Sequence, residues 1–148
     1  MPCRDVTELI HVVVDLEDRL KSYRFIKRTC GRGVGADTLL LDTLGGRTVD
    51  AILELSPVQL LAEHRITEPL EEFLALKHLI ALQSALEVLT GRASGGPGEV
   101  CAAAEIAFED GDTVIHARIS VDLLTEEIKS CGNCRSCGAA ARRKRAAV

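Results

Sequence analysis

The sequence predicts an α+β fold: a small antiparallel sheet packed against a helical layer with one long buried helix, plus a C-terminal β-hairpin and helix appendage. Three observations lead there. Residues 6–29 and 100–120 each hold two apolar, largely β-branched segments around a short polar turn, the pattern of a hairpin. Between them, residues 35–89 carry helix starts and stops in succession. Within that region, the apolar side chains of 68–89 point in nearly every direction, as expected of a helix buried on several sides.

Composition sets the bounds. A chain of 148 residues makes one domain, or one domain with a small appendage. Hydrophobic residues make up 47% but aromatics only 3%, so the core is expected to be built from Leu, Val, Ile and Ala. A formal net charge of -4 gives no whole-chain argument for binding nucleic acid. No apolar run reaches membrane-spanning length, and the N-terminus lacks the basic and apolar regions of a signal peptide, so a cytoplasmic protein is expected. Six cysteines exceed what a core needs; in a reducing compartment such a set more often binds metal than forms disulfides.

Val6 to Asp15 reads as a buried strand, Leu16 to Leu20 as a turn, and Lys21 to Thr29 as a second strand with Tyr23 and Phe25 on one face. Antiparallel pairing brings Cys3, ahead of the first strand, toward Cys30, which follows the second. Glycines at 31, 33 and 35 let the backbone turn after Cys30. A helix from Gly35 to Leu44 would start there, and its N-terminus favours a metal-binding thiolate; the competing reading is a small buried residue at a tight turn. Gly45-Gly46 ends that helix. Thr48 caps a short helix over Val49 to Leu55, Ser56-Pro57 starts another through His64, and Thr67 caps the long helix, Glu68 to Leu89, which Gly91 stops.

Residues 92–99, with the sequence RASGGPGE, form a linker by composition. Val100 to Phe108 and Thr113 to Ser120 then flank an Asp-Gly turn as a second hairpin, with Cys101 at its start. Val121 to Lys129 reads as a short helix. His11 and His116 read as strand-face residues, and His64 sits near a helix C-terminus, where a cation is favoured. The basic end, Arg142 to Arg145, reads as a solvated tail.

Taken together, Cys3-Arg-Asp5, the first hairpin, Phe25-Ile-Lys-Arg-Thr-Cys30-Gly, Gly46-Arg-Thr-Val-Asp50-Ala-Ile-Leu and Leu76-Lys-His78-Leu-Ile-Ala-Leu-Gln-Ser-Ala85-Leu resemble the NifU/IscU-type iron–sulfur cluster assembly scaffold. The resemblance covers about residues 3 to 90 and rests on order and spacing. It implies a scaffold domain over 1–91; composition and local pattern add a linker over 92–99, a hairpin, helix and cysteine-cluster appendage over 100–137, and a basic tail over 138–148. It also implies a metal site of Cys3, Asp5, Cys30 and His78. Asp5 would keep a cluster labile, because oxygen binds iron less tightly than thiolate does. The chain departs from the family pattern at Arg4, where the family has Gly, and at Leu79, where it has a third cysteine.

Cys131-x2-Cys134-x2-Cys137 is the most specific local pattern. It matches the start of the ferredoxin run that holds a 4Fe–4S cluster, with Cys101 as candidate fourth ligand; zinc on four thiolates is the competitor. The expected function is therefore a non-enzymatic iron–sulfur scaffold or carrier. Its cofactor would be a 2Fe–2S or 4Fe–4S cluster, or zinc, and its partners a cysteine desulfurase and acceptor apo-proteins. Neither nucleic acid nor membrane is expected as a partner, and the all-round apolar long helix leaves room for a homo-oligomer. The alternative is a zinc-binding interaction module on a degenerate scaffold fold. An enzyme using Cys30 as nucleophile ranks below both, since no base is placed beside it.

Overall fold

A computed structural model describes residues 7–27, 38–64, 68–96, 98–120, 123–126 and 128. Strands β1 (Thr7–Val14) and β2 (Leu20–Lys27) form the first hairpin, and β3 (Cys101–Glu109) and β4 (Asp112–Ser120) the second. The second hairpin is not set apart from the first. β4 pairs with β1 along its length, from Thr7 opposite Ser120 to Val14 opposite Thr113, giving one antiparallel sheet of order β2-β1-β4-β3. Within the segment read as a linker, the Glu99 carboxylate accepts hydrogen bonds from Ser94 Oγ and from the amides of Gly95 and Gly96.

The alternation in β1 sorts its side chains. Glu8, Ile10, Val12 and Val14 are buried, whereas Leu9, His11 and Val13 are half-buried on the other face. Tyr23 and Phe25 of β2 and Ile115, Ala117 and Ile119 of β4 join the buried side. The tight turn of the second hairpin uses Asp110 and Gly111, both at positive φ (50 and 86°), as the Asp-Gly pair requires.

The helical layer covers the buried side. Helix α1 (Leu41–Leu44) is a single turn, shorter than the helix expected over 35–44: Leu40 precedes it as N-cap, with its N–H donated to the Tyr23 hydroxyl. Residues 35–37 lie outside the described residues. Helix α2 (Val49–Glu54) is capped as expected, the Thr48 side chain accepting from Ala51 N–H. Helix α3 (Pro57–His64) opens with a reciprocal capping box between Ser56 and Gln59.

Helix α4 (Pro69–Leu89) starts one residue later than Thr67 predicts; Glu68 is the N-cap and makes no side-chain cap bond, with Pro69 at the first helical position. Thr67 lies outside the described residues. Every residue from Ala75 to Leu86 is buried, because α4 packs on β1, β3 and β4 and also against α2 and α3. Gly91, at φ +76°, closes it. Residues 123–126 and 128 are helical, and Leu124 and Ile128 enter the core. No helix among the described residues is long and apolar enough to cross a membrane.

Candidate functional site

Alternating strand directions gather four chain ends at one end of the sheet: the start of β1, the end of β2, the start of β3 and the end of β4. The register fixes this. Glu8 stands opposite Lys27 on one side and Ile119 on the other, and Ile119 stands opposite Cys101. The sequence attaches Cys3 four residues before Thr7, Cys30 three residues after Lys27, and Cys131 eleven residues after Ser120. Thus Cys101 lies at, and Cys3 and Cys30 are tethered closely to, strand ends on the same end of the sheet, whereas Cys131 follows Ile128, which enters the core. Cys3, Asp5, Cys30, Cys131, Cys134 and Cys137 themselves lie outside the described residues.

Just inside this end, α4 sends two consecutive side chains to different strands. Lys77 Nζ lies 2.5 Å from Glu8 Oε1, with the two side chains 7% and 1% exposed. Such a desolvated pair holds only while both partners are present. The second carboxylate oxygen, Glu8 Oε2, is buried and takes no hydrogen bond. An orphaned polar atom of this kind costs about 1–3 kcal/mol, and more when charged.

His78, the ligand that the resemblance implies, is fully buried. Its Nδ1 lies 3.0 Å from Tyr23 Oη, and its ring meets the edges of Tyr23 and Phe25, with the Phe25 centroid 5.0 Å away. Tyr23 Oη already accepts from Leu40 N–H at 2.7 Å, and burial raises the phenol's pKa, keeping it protonated. The phenol hydrogen is thereby available to donate to Nδ1. The pair ties β2, α1 and α4 together. To ligate a metal through Nδ1, His78 has to give up this bond.

Cys101 is also interior, 2% exposed, with its Sγ 3.6 Å from the Ala103 carbonyl. Burial, with Glu99 and Glu87 adding to it and the Ala103 contact opposing, pushes its thiol up to about 11. In this setting it is a protonated, buried thiol. It serves as the triad's fourth ligand only if a metal displaces that proton.

The chain matches no family model, no curated protein and no solved structure.

Among the described residues, no three His, Cys, Asp or Glu side chains cluster as a metal site. The chemistry open to this end of the sheet therefore rests on the six residues beyond it. Sequence reasoning did not single out Glu8 or Lys77. The signal was present: Glu8 shares the period of Ile10, Val12 and Val14, and Lys77 stands in a helix apolar on every side, so each was bound to be buried.

Proposed function

We propose that the protein is a non-enzymatic scaffold or carrier in iron–sulfur cluster assembly. It would receive sulfur by way of a cysteine desulfurase, hold a labile cluster or iron through Cys3, Cys30 and Asp5, and pass it to acceptor apo-proteins. The observation that supports this reading is the common exit of the cysteine-bearing segments. At about 3.3–3.6 Å per residue, the tethers to Cys3 and Cys30 reach at most about 14 and 11 Å. They start from adjacent strands about 4.8 Å apart. The two thiols are thus leashed within range of one another, and Cys131-x2-Cys134-x2-Cys137, which follows the core-packed Ile128, is assigned a second cluster from its spacing alone.

One observation favours a second reading, a zinc-binding interaction module. Leu79, where the scaffold family carries its third cysteine, is fully buried and belongs to the core. With His78 also engaged in the core, the first site has few donors for a cluster. Anaerobic reconstitution with iron and sulfide separates the two. The scaffold reading expects visible charge-transfer absorption that Cys30→Ala weakens. A colourless, folded product that retains about one zinc supports the interaction module.

A further inference from the structure

The face of the sheet turned away from α4 carries a row of four side chains at one level, one from each strand: Arg24, His11, His116 and Glu105. The register places Arg24 and His116 opposite His11, and Glu105 opposite His116. The row crosses a groove of about 550 Å³ whose walls include Leu9 and Arg118. At its centre the two imidazoles face each other across β1 and β4, with ring centroids 4.4 Å apart and planes tilted by 44°. His11 is half-buried and His116 exposed.

We propose that His11 and His116 form a second, outward-facing site for a divalent transition metal of the Ni²⁺ or Cu²⁺ class, separate from the cysteine-bearing end of the sheet. The spacing suits two imidazoles sharing one ion, and the donor set selects the class. With metal–nitrogen bonds of about 2.0–2.1 Å, two imidazoles on one ion have centroids roughly 4.5 Å apart at a 90° angle and roughly 5.2 Å apart at a tetrahedral angle. The observed 4.4 Å brings the two rings close enough to share one ion. Nitrogen sites also bind these two ions strongly within the divalent series.

Burial, together with His116 and Arg24, holds His11 below its ordinary 6.5, although Glu109 opposes this. Two strand-borne donors are pre-positioned, so little ordering is needed on binding. Water would complete the coordination, and the exposed Glu105 carboxylate stands one strand further along the row. Arg24 and Arg118 on the same face are balanced by Glu105 and Glu109.

The test titrates the full chain with Ni²⁺, which does not oxidise thiols as Cu²⁺ does, by calorimetry and by thermal unfolding. Wild type is expected to bind one equivalent beyond any that the cysteines hold, and His116→Ala and His11→Gln should each weaken it by about tenfold or more. Cys30→Ser and Cys131→Ser should leave it intact. Because the ion clips β1 to β4, it should raise Tm in wild type and not in His116→Ala. Since His116 is exposed, that variant is expected to keep the wild-type circular dichroism, and His11→Gln retains a polar side chain should Ala perturb the strand. Unchanged Ni²⁺ affinity in both histidine variants, or an equivalent lost only in the cysteine variants, overturns the assignment.

Discussion

Glu8 and Lys77 form a deeply buried ion pair, 1% and 7% exposed. Removing one partner leaves the other charge buried and alone, so Glu8→Gln and Lys77→Met should each cost about 3–5 kcal/mol in denaturant unfolding. The double replacement Glu8→Leu with Lys77→Met should cost clearly less than their sum, because neither charge then remains. Additive losses would show that the two side chains do not act as a pair. Cys101 gives a pH signature. Its thiol pKa is raised from the ordinary 9.0 to about 11, so folding favours the protonated form. The stability this contributes is complete below pH 9 and is lost as pH rises from 9 toward 11. Cys101→Ala should flatten that alkaline slope, and native Cys101 should resist alkylation at neutral pH; rapid labelling of the folded chain at pH 7 would contradict this.

Among the elements, α4 shows how buried polar groups are spent on joining neighbours. Gln83 Nε2 donates to both Ile52 and Leu55 carbonyls at 2.9 Å, closing the C-terminal end of α2 from a different helix. Gln83→Leu leaves two buried acceptors unpaired and should lower stability by about 1–3 kcal/mol, with amide exchange quickened in α2 ahead of the sheet. Uniform exchange changes would place the role elsewhere. Much at this scale was legible: both hairpins, the Thr48 and Ser56-Pro57 starts and the all-round burial of α4 follow from local pattern. The short α1 was not, because its start is shared with a tertiary contact, Leu40 N–H to Tyr23. Nor was the core role of His78, since a helix histidine reads the same whether it meets a metal or a buried phenol.

For the whole molecule, the sequence concealed that the two hairpins make one sheet. A stretch rich in glycine with one proline reads as a linker, and only the full β1–β4 ladder shows that it turns the chain back onto its own first strand. Residues 1–91 alone would therefore lose both β3 and β4, expose an edge along β1 and uncover Ile10 and Val12. That fragment should be unfolded or aggregated by circular dichroism and sedimentation, whereas a well-folded monomer would show that the first hairpin and helices suffice. The same closure puts the strand ends nearest Cys3 and Cys30 beside Cys101 at one end of the sheet, on which the carrier reading depends.

The most direct test of that reading is the iron, zinc and acid-labile sulfide content of the full chain purified without oxygen, beside Cys30→Ala. The account predicts iron and sulfide in about equal amounts in the wild-type chain, with both reduced in the variant. Zinc alone, with no sulfide and no dependence on Cys30, would contradict it.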